Sequence, residues 1–123
     1  MSSRRILCVS FDRVASENRR SALEEAGYDV TASTSVKESL DLLNRECFDA
    51  VIVGHRFSAE EKYLLAVEVK EKANMPVVLV CGASQDSEIP ASMRVYALEG
   101  NTGLLSALSC LCPVEAVARP QAA

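Results

Sequence analysis

Few side chains in this sequence are placed to do chemistry. His55, the single histidine, follows an apolar run in "FDAVIVGHRFS" (Phe48–Ser58), where an imidazole invites phosphorylation or metal binding. Successive strand side chains point to opposite faces. A strand running through residue 55 therefore turns His55 away from the side that Gly54 faces, and a structural or surface histidine is the stronger reading. Five cysteines are present, but Cys110 and Cys112, two apart on a helical segment, do not face each other. Cys81, at the C-terminal end of an apolar run, is the thiol to test for reactivity. Asp12 is the one acid beside the first apolar run. A single carboxylate is too few to hold a hard metal ion. No nucleophile–base pair is found. The expectation is a protein that is not an enzyme and holds neither cofactor nor metal.

Composition narrows the partners. A chain of 123 residues, 49% hydrophobic and 24% charged, is long enough for a domain with a core and too apolar to be disordered. Its net charge is −4, with no basic stripe beyond Arg4–Arg5 and Arg19–Arg20. Nucleic acid is therefore not an expected partner. The longest apolar run, "MPVVLVCGA", falls far short of a membrane span. That of "MSSRRILCVSF" stops at Asp12, too early for a signal peptide. A cytoplasmic location is expected, with the odd number of cysteines mostly reduced.

The elements that must position these groups alternate between strand-like and helix-period segments. "RILCVS" (Arg5–Ser10) is a strand, followed by a helix over about Val14 to Ala26 that stops at Gly27, the usual residue past a helix end. "YDVTAS" (Tyr28–Ser33) is a second strand. Ser35 and Glu38 form a capping box, and Val36, Leu40 and Leu43 give the apolar stripe of the helix it opens. "DAVIV" (Asp49–Val53) is the third strand. Ser58 and Glu61 form another capping box, opening a helix to about Ala73 whose mixed charges in "EEKYLLAVEVKEK" read as a solvated face. "MPVVLVC" (Met75–Cys81) and "RVYAL" (Arg94–Leu98) complete the strands, and a last helix over about Thr102–Leu111 is stopped by Pro113. Five strands separated by helices predict a parallel sheet covered on both faces. Residues 1–112 are expected as one domain and 113–123 as a flexible C-terminal tail.

In this order and spacing, "ALEEAGYDV", "SVKESLDLLNRECFDAVIV" and "MPVVLVCGAS" resemble the CheY-like receiver domain of bacterial two-component response regulators. The resemblance spans residues 4–112. It implies an α/β, flavodoxin-like fold: a doubly wound five-stranded parallel sheet in the order 2-1-3-4-5. In that order Cys8 and Cys81 lie two strands apart, roughly 9–10 Å, beyond disulfide reach. Seventeen residues separate Cys81 from Glu99, fewer than the family usually has, and Pro90 would break a helix interior. The fourth helix is thus expected to be shortened or missing, so the family's partner face does not carry over whole.

The resemblance also implies a phosphoacceptor site, and each of its positions differs here. The two metal-holding acids after the first strand are Ser10 and Phe11, with Asp12 next. The acceptor aspartate is Gly54, the hydroxyl residue ending the fourth strand is Cys81, and the lysine ending the fifth is Glu99. A glycine supplies no nucleophile, and Glu99 reverses a charge that would steady a phosphoryl group. Phe11 either fills the vacated space above Gly54 or is a surface loop aromatic. Tyr96 matches the family's switch aromatic and reads rather as a packed strand residue.

These residues lead to the expectation of a phosphorylation-incompetent pseudo-receiver, standing alone as a monomer or weak homodimer. It would act in bacterial signalling by binding a protein, whether histidine kinase, regulator or scaffold. The alternative is a small-molecule or thiol-redox sensor using the crevice at the strands' C-terminal ends, lined by Asp12, Cys81 and Glu99.

Overall fold

The computed structural model describes residues 4–10, 12–54, 59–72, 75–81, 91–96 and 100–111. Along them run β1 (Arg5–Val9), α1 (Arg13–Glu25), β2 (Asp29–Ser33), α2 (Val36–Arg45), β3 (Ala50–Val53), α3 (Ala59–Lys72), β4 (Val77–Cys81), β5 (Met93–Tyr96) and α4 (Gly100–Leu111). The strands form one parallel sheet in the order β2-β1-β3-β4-β5, as the resemblance implies. Most element ends fall within two residues of those expected from sequence, and the last helix starts at Gly100 rather than near Thr102. Residues 82–90 with the family's fourth helix, the capping residue Ser58 and the 113–123 tail all lie outside the described residues.

Side-chain alternation divides the core between the two faces of the sheet. Ile6, Cys8, Ala50, Ile52, Val78, Val80 and Val95 pack with Leu23 of α1 and Leu104, Ala107 and Leu108 of α4. Leu7, Val9, Val51, Val53, Val77 and Leu79 pack with Leu42 of α2 and Leu65, Ala66 and Val69 of α3. Strands buried on both faces need no polar alternation, which accounts for the unbroken apolar runs of β3 and β4. Each such Val, Leu or Ile contributes about 1.5–3 kcal/mol by burial.

Helix ends follow local chemistry. Gly27 takes φ 103, where only glycine is unstrained. Its N–H donates to the Glu24 carbonyl at 3.1 Å and that of Tyr28 to the Leu23 carbonyl at 3.1 Å. These are the paired bonds of a Schellman stop, and Leu23 and Tyr28 pack in the same cluster. At α2 the Ser35 hydroxyl oxygen accepts from the Glu38 N–H at 3.1 Å. Glu38 reaches back to the Thr34 N–H (3.4 Å) and the Ser33 hydroxyl (3.3 Å), one residue beyond the usual reciprocal partner. In α2 Val36, Leu40 and Leu43 pack partly buried against the core as expected, and Ser39 and Leu42 between them are innermost. One expectation needs correction. In α3 the face is not simply solvated: Lys62 is 2% exposed and shares the inward stripe of Leu65, Ala66 and Val69, while Tyr63 and Leu64 face outward. A lysine's four-carbon stem can be buried like an aliphatic chain.

Candidate functional site

The C-terminal ends of β1 and β3 lie side by side, with Val9 opposite Val53. One residue on, the Gly54 N–H donates to the Val9 carbonyl at 2.8 Å and the Ser10 N–H to the Ser33 carbonyl at 2.9 Å. Ser10 and Gly54 are both buried, so the sheet's hydrogen-bonded order extends to the rim where the expected site lies. There is little room for a side chain at 54. A Cβ would stand 3.2 Å from the Val9 carbonyl oxygen, 3.4 Å from Ser10 Cα and 3.4 Å from Nη1 of Arg19.

Arg19 is the group that sequence reasoning missed. Residues 16, 19 and 23 share one face of a helix, and Ser16 and Leu23 are the buried residues of α1. A cation set between them is thus turned toward the sheet, and its place one helical turn before the apolar Leu23 is the signal that could have found it. Its Nη1 donates to the Ser10 hydroxyl oxygen at 3.0 Å. It also acts on the Cys8 thiol beneath. Burial pushes that thiol up to about 11, while the charge and hydrogen bond of Arg19 pull the other way. Desolvation wins because a thiolate would be almost wholly cut off from water. Cys8 is therefore an inert core thiol at neutral pH.

Asp12 is used structurally. Its Oδ1 accepts from the Val14 N–H at 2.9 Å, capping α1 from extended backbone at φ −92. Ser10 and Gly54 thus meet at one rim beside this cap. Cys81 and Tyr96 end β4 and β5 as register partners, but their side chains, together with Phe11, His55 and Glu99, lie outside the described residues. The Mg²⁺ of receiver chemistry does not fit the groups that are described. It needs several hard oxygen ligands, whereas the Ser10 oxygen accepts from a guanidinium and the Asp12 carboxylate is engaged by the helix. A fixed cation beside the site also opposes a second. Among the described residues, no group of three or more His, Cys, Asp or Glu is placed to hold a metal, and no helix is long and apolar enough to cross a membrane.

No protein-family model and no curated protein matches the chain. Solved structures do, and they define its architecture. A response regulator receiver protein from Sinorhizobium medicae aligns with TM-score 0.80 and 24% identity, over 89% of this chain and 94% of its own. The signal receiver domain of an HD domain-containing protein from Pseudomonas fluorescens gives 0.78 and 17%, over 89% and 94%. The chemotaxis response regulator CheY4 of Vibrio cholerae gives 0.71 and 16%, over 89% and 99%. The chain has the fold of CheY-like response regulator receiver domains.

Proposed function

We propose that the chain is a pseudo-receiver, a module that takes part in signal transduction by binding another protein rather than by accepting a phosphoryl group. The receiver fold supports the signalling role. The observation that carries the finer reading is the pairing of Gly54 with Arg19. Where the resemblance places a nucleophilic aspartate there is no side chain, and the space one would enter is bounded by a guanidinium and two backbone atoms. Aspartyl phosphate requires a carboxylate nucleophile. The partner would be a histidine kinase, a regulator or a scaffold, met in the cytoplasm by a monomer or weak homodimer without enzymatic activity. The thiol-redox alternative rests on Cys81, whose side chain lies outside the described residues; the buried Cys8 is a different thiol, held protonated at neutral pH.

Acetyl phosphate, or BeF₃⁻ with Mg²⁺, is expected to leave the intact mass and the amide spectrum unchanged. A phosphoprotein, or fluoride-dependent shifts at Ser10, Asp12 and Gly54, would overturn the reading. Affinity capture from the native host tests the interaction itself: a signalling protein should bind equally well with and without acetyl phosphate.

A further inference from the structure

On the face of the sheet covered by α1 and α4 lies a cavity of about 200 Å³, floored by Val80, Val95 and Leu104 and walled by Asn18, Arg19 and Asn101. We propose that it binds a small monocarboxylate carrying a ring or branched apolar group, with the guanidinium of Arg19 as the carboxylate's partner. The site does not depend on whether the position of Gly54 can be phosphorylated.

Size and lining set the apolar half of the ligand. A closed apolar cavity of about 150 Å³ accepts benzene, so the larger space here has room for a ring and a carboxylate. Val80, Val95 and Leu104 are each nearly inaccessible to solvent and form a continuous apolar floor. A hydrated anion such as acetate would leave that floor without contacts. Charge sets the polar half. The Arg19 guanidinium is partly buried, and its partners among the described residues are the Ser10 hydroxyl and the Cys8 thiol. Neither carries a charge. A guanidinium presents five N–H donors in a fork that matches a carboxylate two at a time, and contacts to one hydroxyl and one thiol leave part of that capacity for a ligand. Asn18 and Asn101 line the same wall, and the first turn of α4, where Asn101 sits, contains no acidic residue. A cationic ligand would meet Arg19 directly, and a neutral one would leave its charge unmatched.

The test is an NMR titration of the labelled full chain at low salt with sodium benzoate, against benzamide (the ring without the charge) and acetate (the charge without the ring). Benzoate should give saturable shifts at Asn18, Val80, Val95, Asn101 and Leu104, with a Kd of about 1 mM, as expected of so small a ligand. Benzamide and acetate should bind about tenfold more weakly or worse. Ala15 of α1 also lines the cavity: Arg19→Met should weaken benzoate about tenfold, and Ala15→Leu, which fills the space and leaves the guanidinium in place, should do the same. If Arg19→Met does not fold, Ala15→Leu and the two control ligands still decide. The proposal is overturned if no saturable shift appears by about 10 mM, if benzamide or acetate matches benzoate, if Ala15→Leu binds normally, or if the shifts map elsewhere. Binding that appears only in Glu99→Gln would mean that a carboxylate of the chain itself holds Arg19, and would overturn it as well.

Discussion

Gly54→Asp compared with Gly54→Ala isolates the charge that Arg19 brings to the rim of the sheet. Both variants place a Cβ 3.2 Å from the Val9 carbonyl oxygen and 3.4 Å from Arg19 Nη1. The first contact is tight and involves backbone that already accepts the Gly54 N–H, so the β1–β3 junction must give way. Overpacking of this kind costs about 1–3 kcal/mol, and loss of glycine's unfolded-state freedom returns about 0.4–1 kcal/mol. Gly54→Ala should therefore be destabilised by about 0–2.6 kcal/mol. Aspartate pays the same strain but adds a carboxylate beside a partly buried cation. A neighbouring arginine lowers an aspartate pKa by about 1–3, and each step of one is about 1.4 kcal/mol. Burial at 54 opposes this gain and the partial exposure of Arg19 screens it. We expect Gly54→Asp to exceed Gly54→Ala by about 1–2 kcal/mol at pH 7. With the folded pKa depressed, that advantage is present above about pH 4, the unfolded value, and is lost as pH falls through the folded value. Combined with Arg19→Met the order should reverse at pH 7, because an unpaired buried carboxylate has a raised pKa and loses stability as pH rises. Urea denaturation of the four variants at pH 7 and near pH 3 reads these differences. Equal stability of the Asp and Ala variants at pH 7, or a gap that survives Arg19→Met, would refute the reasoning. Robust Mg²⁺-dependent phosphorylation of Gly54→Asp would refute it too, since the new carboxylate should be held by Arg19 rather than by a metal.

Four further outcomes follow from the geometry. Ser35→Ala should cost about 1 kcal/mol by leaving the Glu38 N–H uncapped, and Ser35→Asp should recover most of it in urea melts; a silent alanine variant would contradict the cap. Iodoacetamide at pH 8 should modify the exposed Cys47 and Cys110 and spare Cys8, so native labelling of Cys8 would show that its burial is misjudged. Because the Cys8 thiol titrates near 11 rather than 9.0, its contribution is complete below pH 9 and should fade between those values by about 1.4 kcal/mol per pH unit. Leu65→Ala should lose about 2–5 kcal/mol and its neighbour Leu64→Ala no more than about 0.5, whereas equal losses would mean that α3 presents a different face to the sheet.

The sheet was legible because strands buried on both sides write themselves as unbroken apolar runs, and "DAVIV" and "PVVLV" admit little else at that length. The end of α1 was legible for a different reason: the backbone at Gly27 adopts a φ of 103 that few other residues tolerate. Helix faces were harder to read. In α1 the apolar Val14 is 72% exposed while Ser16 is buried, so hydrophobicity points to the wrong side. Lys62 inverts the pattern in α3, because a lysine is counted as outward although here the whole residue is 2% exposed. At the site, Ser10 and Gly54 could be placed by their position at strand ends. Arg19 could not, because a resemblance directs attention to positions the family uses and "ENRR" reads as a solvated polar run. The place of Arg19 one helical turn before the apolar Leu23 was the available clue.

The strand order also shapes what the ribosome must accomplish. Synthesis proceeds from β1 toward α4, and in the order β2-β1-β3-β4-β5 every new strand arrives at an edge that is already waiting. β2 takes one side of β1, β3 the other, and β4 and β5 then add outward in turn. No two paired strands ever have to part to admit a third, which removes a common source of trapped intermediates in sheet proteins. The vulnerable moment comes at the end. Until α4 docks with Leu104, Ala107 and Leu108, the same valines that floor the cavity lack their cover, so a chain truncated before residue 100 would leave this apolar face open to water.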